Sequence, residues 1–449
     1  MVSEVAARPM WSSRLAFFAA AVGSAVGLGS IWKFPYIVGA NGGGAFVLVY
    51  LAFVGAVGVP LMTAELALGR RGGPSVIRSL GLAAGRLRTG WNALGRLAVA
   101  AAFVILSFYS VVAGWALAYA VKAAAGGLEG MTAAASAAAF EGLLADPVGM
   151  IGWHSLFLGA TALIVARGVG AGIERMVRWL MPIFALLLLG LAAYAVAVGD
   201  VGRTLDFLFA PDFGALTPAA TMSAAGHAFF TLSLGMGAMI AYGGYLASDV
   251  SIPKTAFWVA VCDTICSLAA GFAIFPIVFA FGLDPAEGPG LVFVTLPVAF
   301  AAMPGGILVA TAFFALLVIA ALASAVSVLE PLVAAAGASD AGPGRRLWTG
   351  AIAAAAWMLG LASVFSFNLW SEVRVPGLKG SLFDNLNVVT AEIGLPLVGV
   401  GVALFVGWAA PHALPATEFR TVAGHRIWRF LVRFVAPAVV LAVLFDAIT

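Results

Sequence analysis

The sequence predicts an all-helical integral membrane protein with about eleven spans, two of them broken at mid-depth. Three observations carry this reading. Of 449 residues, 63% are hydrophobic and only 10% charged, with a mean hydropathy of +1.08; no water-soluble surface tolerates that balance. Apolar runs long enough to cross a bilayer recur along the whole chain. Two of these runs interrupt themselves. Residues 15–37 read LAFFAAAVGSAVGLGSIWKFPYI, with Gly23, Gly27, Gly29, Ser24 and Ser30 crowding the middle and Lys33 and Pro35 following. Residues 221–246 carry Gly235 and Gly237 at their centre. Unwound backbone at membrane depth persists only where it lines a cavity or is buried in protein. A pair of interrupted spans in corresponding halves of a hydrophobic chain points to the substrate site of a secondary transporter.

In order, the spans fall near 12–37, 42–69, 91–124, 151–167, 174–198, 219–246, 255–283, 305–337, 347–370, 385–410 and 427–447. The broken spans are the first and the sixth. Five spans separate their starts, the spacing of a five-plus-five inverted repeat. The whole chain, 1–449, then reads as one transporter domain: a first repeat over 12–198, a second over 219–410 and an extra span over 427–447. The stretch 285–304 is too rich in Pro and Gly to span, and is expected to fold as a re-entrant or hairpin-like outer loop. The leading MVSEVAARPMWSSR reads as a short polar lead, not a cleaved signal peptide.

Arginine placement sets the orientation. With the N-terminus in the cytoplasm, the inner segments hold Arg8, Arg14, Arg70, Arg71, Arg78, Arg86, Arg88, Arg96, Arg167, Arg175, Arg178, Lys254, Arg345, Arg346, Arg420, Arg426, Arg429 and Arg433. The outer segments hold only Lys122, Arg203, Arg374 and Lys379. An odd number of spans then leaves the C-terminus outside the inner cell membrane. This asymmetry accounts for the net charge of +3 without nucleic acid as a partner. Cys262 and Cys266, at i and i+4 on one apolar helix, read as small buried hydrophobes. The runs GANGGGAF and GVGAGIER lack the GK[ST] and preceding strand of a phosphate cradle. No nucleophile–base or metal constellation for an enzyme is present.

Breaking a span frees carbonyls on one side and amides on the other. Half-helix N-termini favour carboxylates and half-helix C-termini favour cations, so paired breaks suit the backbone of a zwitterionic amino acid. The hydroxyls of Ser24, Ser30, Thr231, Ser233 and Ser324, with freed carbonyls, offer the oxygens that a hard cation such as sodium requires.

Several motifs now carry a resemblance. WSSRLAFFAAAVGSAVGLGSIWKFPY, NGGGAF at 41–46, PLMTAELALGRRGG at 60–73, GIERMVRWLMP at 172–182, FLFAPDF at 207–213 and FFTLSLGMGAM at 229–239 resemble the neurotransmitter:sodium symporter family, which has the LeuT fold. The resemblance runs from Trp11 to about Trp408. Eleven spans and the GMG of span six look most like the bacterial multi-hydrophobic amino acid transporters of the MhsT type. The resemblance implies sodium-coupled symport of neutral hydrophobic or aromatic L-amino acids (the Trp, Phe, Leu and Tyr class) by alternating access, with two Na+ ions and no organic cofactor. A proton-coupled or uncoupled exchanger stays open as the alternative, and a non-transporting amino acid sensor is disfavoured by the absence of an output domain.

Carried over by position, the resemblance implies a first sodium site of the Ala25 carbonyl, Ser30, Thr231 and Asp263. Better-known members have Asn at the Ser30 and Asp263 positions. The second sodium site would use carbonyls of Gly23, Val26 and Ala320 with the Ser324 hydroxyl; Ala323 stands where many members have another oxygen ligand. The substrate carboxylate would meet the amides of Leu28 and Gly29 and the Tyr109 hydroxyl. Its ammonium would meet carbonyls of Ala25, Phe230 and Thr231, and Ser233. Its side chain would lie among Ile105, Phe108, Tyr109, Phe230, Met236, Ser327 and Val328, a lining without fixed charge.

Chloride-dependent relatives hold chloride at positions equivalent to Tyr50, His227, Thr231, Asp263 and Ser267. An acid deep in a span is costly and usually functional. Asp263 is therefore read as the fixed negative charge of a chloride-independent transporter; the plain alternative is an acid at a helix end. His227 is read either as a proton-linked group or as a neutral hydrogen-bonding spacer, and His154, His412 and His425 as interfacial. For the outer gate, Lys33 would face Asn387 or reach Asp384, with Phe230 and Tyr109 as a thin lid. Arg8 and Trp11 match the family's inner latch, Asp340 being the nearest acid; a simple positive-inside charge competes for Arg8.

Overall fold

Inside a bilayer every backbone amide and carbonyl must pair within the chain, and helices achieve this segment by segment. The computed structural model describes residues 10–448 apart from 86–87, 287–289, 339–341 and 377, and every regular element among them is helical. Nine helices are long and apolar enough to cross a membrane: α3 (Gly44–Gly72), α5 (Gly90–Ala124), α7 (Pro147–Ala166), α8 (Val169–Val198), α12 (Ile252–Ala280), α14 (Gly306–Ala335), α15 (Pro343–Phe365), α16 (Leu382–Ala409) and α17 (Val422–Ala447). The first span is a bent pair, α1 (Arg14–Ala25) and α2 (Gly29–Ala40), meeting at 49°. The sixth is a broken pair, α10 (Pro218–Thr231) and α11 (Ala238–Gly243), with six non-helical residues between. Asp446, at the end of α17, lines one cavity with Lys33 and Ile37 of the first span. The last helix thus ends on the face opposite Trp11, as an odd number of crossings requires. Below, the face carrying Trp11 is the amino face and the other the far face.

Four short helices are not legible as spans: α4 (Val76–Ala84), α6 (Ala133–Ala145), α9 (Val201–Phe209) and α13 (Leu291–Ala302). The 13-residue α6 is alanine-rich, which favours a helix, but it is too short to cross. The stretch 285–304, expected to form a re-entrant or hairpin-like outer loop, contains α13, packed on α5, α6 and α14 through Phe293, Phe140, Tyr119 and Phe314.

Burial sorts the helices into layers. In α5, 67% of the apolar window is buried inside the protein, against 22% in α8 and α17. α5 therefore sits at the centre and α8 and α17 face lipid. The centre is close-packed because small residues let backbones approach. A Cβ on Gly69 would stand 1.9 Å from the Ile240 carbonyl oxygen, so α3 and α11 can meet only through glycine there. On the amino face, Arg14 pairs with Asp249 in the loop before α12 and holds that carboxyl below its usual range.

Candidate functional site

The two breaks meet. Helix α1 ends at Ala25, and the carbonyl of Ser24 accepts hydrogen bonds from the Ser233 hydroxyl (2.7 Å) and the Ser324 hydroxyl (3.2 Å). Ser233 lies in the break of the sixth span with φ +54°, the single non-glycine residue of positive φ among the described residues. Gly235 beside it has φ +80°, and a Cβ there would stand 2.5 Å from the Leu395 carbonyl oxygen. The Ser24 hydroxyl donates to Ser327 Oγ (2.8 Å), which donates to the Ser324 carbonyl (2.7 Å). Four serines from α1, the sixth-span break and α14 thus form one buried network. The Leu28 amide, past the first break, donates to the Tyr109 hydroxyl at 3.4 Å.

A second cluster surrounds Asp263, which is fully buried in α12. Ser30 donates to its Oδ1 at 2.7 Å, and the Thr231 hydroxyl lies 3.2 and 3.1 Å from its two oxygens. Ser30 and Thr231 are themselves 3.0 Å apart, and the Tyr50 hydroxyl reaches Oδ2 at 3.5 Å. One carboxylate therefore ties the second half of the first span to the end of α10. The helix-end alternative for Asp263 is excluded by this position, eleven residues inside α12. The donors are all oxygen, the set that suits hard cations rather than transition metals. Among the described residues no group of three His, Cys, Asp or Glu is arranged to hold a metal.

His227 departs from the hydrogen-bonding spacer expected of it. Its ring lies 5.4 Å from Tyr50 and 5.8 Å from Phe34, and neither ring nitrogen has a protein partner among the described residues. It packs as an aromatic. Ser267 is buried beside Tyr50. His154 is not interfacial either: it is fully buried and stacks on Trp357, because it points into the α5–α7–α15 seam.

Leu28, Gly29, Phe108, Tyr109 and Phe230 line a cavity of about 380 Å³. Its walls rise through Trp32, Val112, Trp115, Phe293, Phe367 and Phe383 to Lys33, Asp384 and Asn387. Ala25, Ile105, Ser233, Met236, Ser324, Ser327 and Val328 are buried and do not line it. Gly23, Val26 and Ala320 are likewise buried, with Gly23 against Ala323.

The gates differ from expectation. Asp384 does not reach Lys33: it accepts from the Ser381 amide and hydroxyl, both at 2.8 Å, in a capping box that starts α16. Asn387 donates to Glu392 instead (3.2 Å), and the Lys33 ammonium lies 4.7 Å above the Phe230 ring, a cation–π contact. Glu392, which sequence reasoning passed over, lines a second cavity together with Lys33. At the amino face Trp11 donates its amide to the Tyr245 carbonyl and its indole to the Tyr242 carbonyl, both at 3.2 Å. Arg8 and Asp340 lie outside the described residues. Among the described residues, Glu174 and Glu330 are acids that hold this face. Glu174 accepts from the Ser12 amide (3.0 Å) and hydroxyl and from Arg178 (2.7 Å). Glu330 pairs with Arg345 with both side chains fully buried, and takes the Tyr245 hydroxyl at 2.6 Å. Glu65, buried in TAELALG, accepts from the Gly235 amide at 2.8 Å and so steadies the sixth-span break. A charge inside a predicted span was the available signal for Glu65 and Glu330.

The comparisons with known proteins agree with this geometry. The sequence signature of the sodium:neurotransmitter symporter family matches residues 8–134 and 144–449. This chain belongs to that family. It is 37% identical over 444 residues to the Bacillus subtilis sodium-dependent transporter YhdH, covering 98% of this chain and 97% of that one. It is 27% identical over 506 residues to the sodium-dependent dopamine transporter of Bos taurus, covering 98% of this chain and 69% of that one. The crystal structure of MhsT in complex with L-phenylalanine superposes with a TM-score of 0.87 at 41% identity, covering 98% of this chain and all of that one. The symporter therefore has the LeuT fold, resides in a membrane, transports in a sodium-dependent manner and is not an enzyme.

Proposed function

We infer that this symporter imports neutral hydrophobic and aromatic L-amino acids with sodium across the inner cell membrane, without requiring chloride. The observation that carries the reading is the Ser30–Thr231–Asp263 cluster, which ties the first span to the sixth through a buried carboxylate. A cation entering that oxygen set is neutralised locally and draws the two broken spans together. The freed Leu28 amide and the Tyr109 hydroxyl favour a substrate carboxylate beside it, and the carbonyls of Ala25 and Thr231 stand at half-helix C-termini that favour an ammonium. The apolar walls of the cavity favour a substrate side chain without charge. The relative MhsT was crystallised with L-phenylalanine, which points the same way.

A second sodium site at Gly23, Val26, Ala320 and Ser324, the repeats over 12–198 and 219–410 with an extra span over 427–447, and a cytoplasmic N-terminus with an outer C-terminus belong to the same reading. Competition against labelled phenylalanine, in sodium with chloride or gluconate, tests it. Tryptophan, leucine and tyrosine are expected to compete in both anions, and glutamate and lysine in neither. Competition by a charged amino acid, or loss of binding in gluconate, would refute the corresponding half.

A further inference from the structure

Residues 405–435 connect the end of α16 to the first half of α17. They carry four arginines (Arg420, Arg426, Arg429 and Arg433) and one acid, Glu418. That acid is spent on Arg70 of α3. Arg429 and Arg433 are i,i+4 neighbours on one face of α17, each half-buried, and the charge of one bears on the other. Neither has a carboxylate within ion-pair distance among the described residues. Arg433 gives its Nε to the Gly407 carbonyl, and its guanidinium carbon lies 4.9 Å from the Trp408 ring. The Nε of Arg429 is buried without a hydrogen-bond partner among the described residues. Two like charges held side by side with open donors are unfavourable unless an anion joins them.

The depth and the surroundings identify that anion. Helix α16 has 28 residues, roughly 42 Å of helix, against about 30 Å of hydrocarbon. Its last turn, with Trp408, therefore lies at headgroup level. Phe434 packs 5.5 Å from Trp408 and Phe430 packs 5.6 Å from Phe434. All three rings are about half exposed, Trp408 at the end of α16 and the two phenylalanines on α17, which is mostly turned to lipid. Free phosphate would use the arginines but leave this aromatic wall bare. A phospholipid uses both, and basic pockets between spans at this level suit anionic headgroups.

We propose that Arg429 and Arg433 bind the phosphate of an anionic phospholipid in the amino-face leaflet beside the Trp408 ring, whose indole N–H is directed to the Arg433 carbonyl, with an acyl chain along Phe430 and Phe434. The test reconstitutes the full-length protein in phosphatidylcholine nanodiscs containing either brominated phosphatidylglycerol or brominated phosphatidylcholine at equal mole fraction. The Trp408 signal is isolated as wild type minus Trp408→Phe. Brominated phosphatidylglycerol is expected to be enriched at Trp408 by about fivefold over brominated phosphatidylcholine, the scale for a basic residue at a membrane surface. Arg429→Gln, which leaves the Arg433–Gly407 contact intact, is expected to abolish the excess, and Arg429→Lys to retain part of it. Equal quenching by the two lipids, or an excess that survives Arg429→Gln, overturns the proposal. So does displacement of the excess by glycerol 3-phosphate, which would assign the arginines to a soluble phosphate.

Discussion

The Asp263→Asn transporter is expected to bind sodium and substrate well only when chloride is present. Asparagine keeps the shape of aspartate and can still accept from Ser30 and Thr231, which donate to the carboxylate at 2.7–3.2 Å. What it removes is the charge. Stripping one partner from a buried ion pair costs roughly 3–5 kcal/mol, which at 1.4 kcal/mol per decade weakens sodium affinity by about a hundredfold or more. A chloride ion among Tyr50, Thr231 and Ser267 would restore that charge. Sodium titration of phenylalanine binding, in chloride and in gluconate, measures both effects. Wild type should be indifferent to the anion. An Asp263→Asn variant as good as wild type in gluconate would show that the carboxylate charge is not what the sodium site uses.

The second large effect concerns the amino face. Glu330→Ala is expected to cost roughly 3–5 kcal/mol of stability, because it strands a buried guanidinium. Arg345 would keep the Val165 carbonyl on its Nε (2.7 Å) and the Ala338 carbonyl on a terminal nitrogen (3.1 Å). It would lose the carboxylate that neutralises it. Tyr245 would lose the acceptor of its hydroxyl, and its carbonyl is what holds the Trp11 amide. The latch should loosen together with the fold. Removing both charges, Glu330→Met with Arg345→Leu, is expected to recover much of the loss. Thermal unfolding of the purified variants, followed by size-exclusion fluorescence, should rank wild type and the double variant above the single one. A single variant as stable as wild type would contradict a stabilising role for the pair.

The residues that were legible in the sequence share one property: they violate a rule of membrane helices. Glycine clusters in the first and sixth spans announced the breaks, and a carboxylate in an apolar run announced Asp263. What was not legible depends on which of several chemically equal partners lies nearest. Asp384 and Glu392 are both acids of α16, and the sequence does not reveal that Asp384 is consumed by the cap at Ser381 while Glu392 stands five residues beyond Asn387. The sequence shows the hydrogen-bonding capacity of His227, but its surroundings are the rings of Phe34 and Tyr50. Helices α6 and α13 were hidden because hydropathy detects spans, and an apolar helix of a dozen residues packed on the far face is not one.

In the proposed transport cycle, sodium moving down its gradient drives a neutral hydrophobic amino acid through this fold. Uptake of labelled phenylalanine into proteoliposomes, with sodium outside or with choline in its place, is the deciding experiment. Transient accumulation above the outside concentration is expected in sodium, and no more than equilibration in choline. Equal accumulation in choline would contradict it.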